Sequence, residues 1–250
     1  MTNNNTYFVA NWKMYGNSSS IKHIAKVISI SKINKYKKVR IIYCPPYTLL
    51  EQFVKKTKKT NISIGAQNCH YETGYGAFTG FVSTKMIKNS GCKFVIIGHS
   101  ETRKEGDTDK KINMKIKSAL NSNLKVIFCI GESYKDKKNK KTNLVLNNQI
   151  KNGLNKIKNL KNVLIAYEPV WSIGTGVIPK ISNLNSQVKK IKKFINGKFK
   201  NKNVKVLYGG SVSSKNIKSL SRIKEIDGFL IGGASQNQNK FIDIIKKSIN

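Results

Sequence analysis

This chain is short of acid. Its 250 residues hold 12 Asp and Glu against 47 Lys and Arg, a formal charge of +35. Arginine is scarce too: Arg40, Arg103 and Arg222 are the whole set. Recognition of base edges and stacked bases favours Arg over Lys, so the positive balance does not by itself point to a nucleic-acid reader. The lysines are spread along helix-like segments rather than gathered in one basic tail, as on solvated helix faces of a Lys- and Asn-rich chain. A field of this sign still draws in any anionic substrate. Cys44, Cys69, Cys92 and Cys129 lie scattered, without Cys-x-x-Cys spacing, which argues against a disulfide framework or a zinc knuckle and for reduced thiols in a cytosol. No apolar run approaches the roughly 20 residues of a membrane span. The polar start, Met1 to Thr6, runs straight into a strand-like stretch and reads as lacking a signal peptide. Linkers and low-complexity inserts are missing as well, apart from the charge run 135–141, so a single domain over residues 1–250 is expected.

What is present is a rhythm. Short Val- and Ile-rich runs alternate with lysine-rich amphipathic segments. The strand candidates are Tyr7–Ala10, Val39–Tyr43, Ile62–Ala66, Phe94–Gly98, Val126–Ile130, Val163–Tyr167, Val204–Tyr208 and Gly228–Ile231. Their nearly continuous apolarity suits strands buried on both faces. Helix candidates between them include Ser20–Ile33, Tyr47–Lys58, Lys110–Asn121, Asn143–Ile157, Asn183–Ile195 and Gln238–Ile249. Eight β-then-α units in 250 residues predict a closed (β/α)8 barrel, with a doubly wound open sheet as the alternative.

A barrel of this kind carries chemistry at the C-terminal ends of its strands. Polar residues stand there in register: Asn11 and Lys13, Gln67-Asn68, His99 and Glu101, Glu168, Gly209-Gly210-Ser211, and Gly232-Gly233. The richest stretch is Ala166-Tyr167-Glu168-Pro169-Val170-Trp171-Ser172-Ile173-Gly174-Thr175-Gly176. An apolar run delivers one carboxylate, and a loop stiff at its start and glycine-rich at its end follows. A carboxylate beside a hinged lid is what proton abstraction in a water-excluded pocket requires. His23 and His70 have no Cys or carboxylate partners at ligand spacing, so no metal and no cofactor are expected.

With these segments, Asn11-Trp12-Lys13-Met14, Cys44-Pro45-Pro46, Gly65-Ala66-Gln67-Asn68, Gly76-Ala77-Phe78-Thr79-Gly80, Gly98-His99-Ser100-Glu101, Cys129-Ile130-Gly131-Glu132, Tyr208-Gly209-Gly210-Ser211-Val212 and Gly232-Gly233-Ala234-Ser235, the chain resembles the triosephosphate isomerase family along essentially its full length. The resemblance implies a single-domain TIM barrel. It implies interconversion of dihydroxyacetone phosphate and D-glyceraldehyde 3-phosphate through an enediolate, in glycolysis and gluconeogenesis. Glu168 is then the base that shuttles the carbon-bound proton. His99, as neutral imidazole, polarises the carbonyl and moves protons between the oxygens. Lys13 sets a fixed positive charge beside the developing oxyanion, and Asn11 positions the substrate near it. Backbone N–H groups at Gly174, Ser211, Gly232 and Gly233 hold the phosphate, and glycine allows the close approach. The family is mostly dimeric, with the segment Asn68–Gly80 reaching into the neighbour, so a cytoplasmic homodimer is expected, with no specific nucleic acid and no membrane among its partners.

The chain departs from the family pattern in places. Phe81 stands where Glu is usual and Thr102 where Arg is usual, so a commonly interfacial ion pair is missing on both sides. Ser172 replaces the usual Ala after Trp171, and Val177 replaces the usual Lys after Gly176. Cys129 reads as a packed small residue, and Glu101 and Glu132 as structural carboxylates near the site. Two rivals remain: another phosphate-binding barrel isomerase of a larger sugar phosphate, and a non-catalytic, basic nucleic-acid-binding protein on the same scaffold.

Overall fold

The computed structural model describes residues 5–201 and 203–249; residues 1–4, the polar start read above, lie outside that range. Eight parallel strands close into a barrel in chain order, β1 pairing with both β2 and β8. They are β1 (Thr6–Asn11), β2 (Val39–Cys44), β3 (Ser63–Ala66), β4 (Phe94–Ile97), β5 (Lys125–Ile130), β6 (Val163–Tyr167), β7 (Lys205–Tyr208) and β8 (Gly228–Ile231). Each sits within a residue or two of the run that predicted it, and the open-sheet alternative is excluded.

The helices are α1 (Ala25–Ser31), α2 (Leu50–Thr57), α3 (Thr84–Asn89), α4 (Ser100–Lys104), α5 (Asp109–Asn121), α6 (Tyr134–Lys138), α7 (Thr142–Gly153), α8 (Ile181–Phe199), α9 (Ile217–Ser221) and α10 (Gln238–Ile249). The segment expected as one helix over Ser20–Ile33 begins instead as a 3-10 stretch, Ser18–Ile24, capped by the Asn17 side chain, and only then becomes α1. The helix expected over Asn143–Ile157 ends at Gly153, where a Cβ would stand 2.4 Å from the Phe128 ring. The short helices α3, α6 and α9 span six residues or fewer, too little for a periodic signal. Among the described residues no helix is long and apolar enough to cross a membrane.

Two apolar cores result. The larger lies between strands and helices; the smaller fills the barrel with Val9, Ile42, Cys44, Phe94, Ile96, Ile127, Cys129, Leu164, Ala166, Leu207 and Leu230. Side chains alternate along a strand with a period of two. One more step beyond the inward Val9, Cys129, Ala166, Leu207 and Leu230 gives Asn11, Gly131, Glu168, Gly209 and Gly232. The same alternation that packs the barrel therefore aims these residues over its C-terminal mouth.

Candidate active site

The expected site residues converge. Asn11, Lys13, His99, Glu168, Gly174, Ser211, Gly232 and Gly233 all line one cavity of about 190 Å³. That volume lies below the roughly 300–1,000 Å³ of pockets for drug-sized ligands and suits a small substrate.

Glu168 leaves β6 with its backbone N–H donating to Ile130 O at 2.8 Å, and its side chain is only 3% exposed. Two glycines make room for it. A Cβ on Gly131 would stand 1.8 Å from the Glu168 carbonyl oxygen, and one on Gly209 would stand 2.7 Å from its Cγ. Burial pushes the carboxyl above the usual carboxylate range; His99, a hydrogen bond from the Cys129 thiol and Lys13 pull part of the way back, while Glu101 adds to the rise. Cys129 keeps its proton, because burial pushes the thiol well up. Its contact with the base goes beyond the packing role expected from sequence, and the two-residue step from Cys129 to Gly131 is the signal that placed it inside the barrel mouth.

His99 follows β4 through Gly98, whose φ of +76° suits glycine. It caps α4: its Nδ1 accepts from the Glu101 N–H at 3.2 Å, and its carbonyl accepts from the Thr102 hydroxyl at 3.0 Å. An accepting Nδ1 leaves the ring proton on Nε2, which faces Glu168 Oε1 at 3.3 Å. Glu101 Oε2 also lies 3.5 Å from Nδ1. That carboxylate is half exposed and bound to Lys13 Nζ at 2.5 Å.

Lys13 adopts φ +56°, an uncommon left-handed conformation for a residue with a side chain. Its neighbours hold it there. Asn11 Oδ1 accepts the Lys13 N–H at 3.1 Å, and Gln67 Nε2 donates to Lys13 O at 2.9 Å and to Cys44 O at 2.8 Å. Trp12 is buried and donates from Nε1 to Ser235 O at 3.0 Å, tying β1 to the turn after β8. Strain kept by several independent bonds marks functional positions. Lys13 is also the one lysine or arginine lining the cavity among the described residues.

The lid is anchored from below. Trp171 Nε1 donates to Glu132 Oε1 at 2.8 Å, and the Tyr167 hydroxyl donates to Glu132 Oε2 at 3.2 Å. Glu132 is 1% exposed, and burial raises its carboxyl. The Lys137 ammonium lies 3.4 Å over the Trp171 ring. Glu132 thus sets the lid's first hinge, and Glu101 bridges Lys13 and His99. His70, weighed above, stands apart: its Nδ1 accepts from the Glu72 N–H at 3.2 Å, and it packs on Tyr71, Phe78 and Phe81.

A protein-family model described as triosephosphate isomerase matches residues 6–248. Triosephosphate isomerase of Dictyoglomus thermophilum is 41% identical over 244 residues, covering 95% of this chain and 97% of the relative. That of Saccharomyces cerevisiae is 40% identical over 245 residues, covering 96% and 97%. The crystal structure of triosephosphate isomerase from Bartonella henselae superposes with a TM-score of 0.89 at 30% identity, covering 98% of this chain and 99% of that one.

Proposed function

Because this chain belongs to the triosephosphate isomerase family and interconverts dihydroxyacetone phosphate and D-glyceraldehyde 3-phosphate, we propose a division of labour for its site: Glu168 as base, His99 as proton donor to oxygen, Lys13 as fixed charge. The observation that carries this reading is the placing of a buried carboxylate 3.3 Å from an imidazole Nε2, with Lys13 lining the same cavity. A carbon-bound hydrogen beside a carbonyl is weakly acidic. Its removal needs a base that is close and stripped of water, and a developing oxyanion that meets donors already in place. Glu168, raised by burial, takes the proton from one carbon and returns it to the next. The His99 Nε2–H donates to the enediolate oxygens, and Lys13 offsets their charge. Asn11 orients the substrate beside Lys13. The N–H groups of Gly174, Ser211, Gly232 and Gly233 hold the phosphate, and the lid over Glu168 keeps water from the intermediate.

The chain works as a single domain in a cytoplasmic homodimer in glycolysis. Four buried, unpaired cysteines suit a reducing compartment. A dimer is supported by the exposed apolar residues in the loops that follow β1 and β3, among them Met14, Tyr15, Tyr75, Phe78 and Phe81. Phe81 packs on His70 at 4.8 Å and offers a partner an apolar face where the family's usual charge is missing. A coupled isomerisation assay with Glu168→Gln tests the base: turnover falls by several orders of magnitude while a phosphate-bearing analogue still binds. Near-normal turnover refutes it.

A further inference from the structure

Ser172 occupies the lid position where the family pattern has alanine, and its hydroxyl has a full set of partners. The residue is wholly buried. Oγ lies 2.5 Å from the Val177 carbonyl oxygen, 3.1 Å from the Tyr208 hydroxyl and 3.4 Å from the Ser211 backbone nitrogen. A serine hydroxyl has one proton and two lone pairs. The carbonyl can only accept, so Ser172 gives its proton to Val177. The Ser211 N–H can only donate. Tyr208 must therefore donate as well, and burial, pushing its phenol up to about 12, keeps the proton on it.

These bonds connect two segments, the lid and the turn after β7. The bond to Val177 joins the two bases of the lid across Gly174 and Gly176, both at positive φ. The bonds from Tyr208 and Ser211 tie that base to the turn after β7. Nothing thicker than backbone fits there: a Cβ on Gly210 would stand 2.3 Å from the Tyr208 hydroxyl and 2.8 Å from Ser172 Oγ.

We propose that Ser172 is a positioning residue that ties the lid to the phosphate-binding turn and holds the Ser211 N–H until a phosphate dianion takes it. The inference rests on the assignment of Ser211 to phosphate. A charged phosphate oxygen is a stronger acceptor than a hydroxyl 3.4 Å away. Transfer of the N–H to phosphate is therefore favourable, and it removes one of the lid's ties in the same event. The lid's grip on the turn becomes sensitive to whether phosphate is present.

Inhibition by inorganic phosphate, together with KM and kcat, tests this in Ser172→Ala, Tyr208→Phe and the double variant. Freeing the N–H in Ser172→Ala lowers the phosphate Ki and the substrate KM two- to tenfold, about the range of one neutral hydrogen bond no longer displaced. Tyr208→Phe leaves Ser211 as the remaining donor to Ser172, so Ki rises there, and the rise disappears in the double variant. A merely structural role raises Ki in all three. An unchanged or raised Ki in Ser172→Ala, or additive effects, overturns the proposal. Should Ser172→Ala fail to fold, a Ki in Tyr208→Phe that does not rise overturns it alone. The Ser211 amide resonance separates the two readings. If phosphate leaves it unmoved, the phosphate assignment falls and this inference with it. If it moves while Ki is indifferent to Ser172, the inference alone falls.

Discussion

Gly209→Ala moves the base without altering the chemistry of any group that reacts. The new Cβ would lie 2.7 Å from Glu168 Cγ, 3.1 Å from Oε1 and 3.3 Å from Cδ. Carbon atoms rest at about 3.5–4.0 Å, so the carboxylate must retreat by about 1 Å. It has little room to do so, since the His99 ring and the Cys129 thiol stand against it. A displacement of that size costs about 100-fold in rate, or about 2.7 kcal/mol of barrier. The fold tolerates the change. Gly209 is outside the positive-φ region, its N–H still donates to Tyr167 O at 2.9 Å, and the added methyl restricts the unfolded chain by about 0.4–1 kcal/mol. Steady-state isomerisation in both directions should therefore show kcat down about 100-fold, with the Ki of inorganic phosphate and the melting temperature close to wild type. Glu168→Gln should cost much less in the Gly209→Ala background than in the wild type, because the base is already misplaced. A kcat within about threefold of wild type refutes the claim that the position of this carboxylate limits the reaction. So does a loss of phosphate binding in step with kcat.

Other outcomes follow from the same geometry. Glu168 has a folded pKa above its unfolded one, so the stability it contributes is present below the unfolded value and lost as pH rises through the folded value. Glu168→Gln should melt higher than wild type at pH 8 and converge with it near pH 4, and the acid limb of wild-type kcat/KM should lie above the ordinary glutamate range; equal melting at both pH values counts against a strained buried charge. Lys115 and Asp107 pair at 2.7 Å with both side chains largely buried. Asp107→Ala strands the ammonium and should cost about 3–5 kcal/mol in denaturant unfolding, whereas removing both partners should cost far less. In the proposed dimer two subunits of +35 would repel, and exposed charges are screened beyond about 8 Å at physiological salt. Sedimentation should show dimer weakening as salt is lowered while kcat/KM for the anionic substrate rises; a mass and a rate both indifferent to salt refute the electrostatic reading.

The barrel was legible because its strands are buried on both faces, so each reads as a short continuous apolar run, and these runs alternate with amphipathic segments. Val163–Tyr167 has the same bounds in sequence and structure, and Glu168 follows from it. The positions of Asn11, Lys13 and His99 were legible for the same reason, since each leaves a strand end. What the sequence hid depends on neighbours distant along the chain. Nothing beside Cys129 in sequence says that its thiol meets Glu168. The φ of +56° at Lys13 is held in part by Gln67, over fifty residues away, and lysine itself carries no sign of it. Tyr208 reads as a strand residue until folding brings its hydroxyl to Ser172. The 3-10 start at Ser18–Ile24 escaped for a different reason: about 3.6 residues per turn and about 3 are hard to tell apart by apolar spacing over so short a segment.

The distribution of acid separates a working site from an inherited scaffold. A chain with 12 carboxylates can do without them at small cost on its surface. Several of those that remain sit against a cation. Asp107 faces Lys115, Asp109 faces Arg103, and Asp227 faces Lys192 and Lys205. Glu132 and Glu168 do not. Both are almost wholly buried, neither forms an ion pair with a lysine or arginine among the described residues, and burial raises the pKa of both. Burying such groups works against folding, so a protein that used only the scaffold's positive surface would gain stability by replacing them. Their place is explained by what they face: one holds the lid's tryptophan, and the other stands 3.3 Å from His99 in the cavity that Lys13 lines. A basic nucleic-acid binder on this barrel has no use for either contact, whereas an isomerase that must remove a carbon-bound proton needs both.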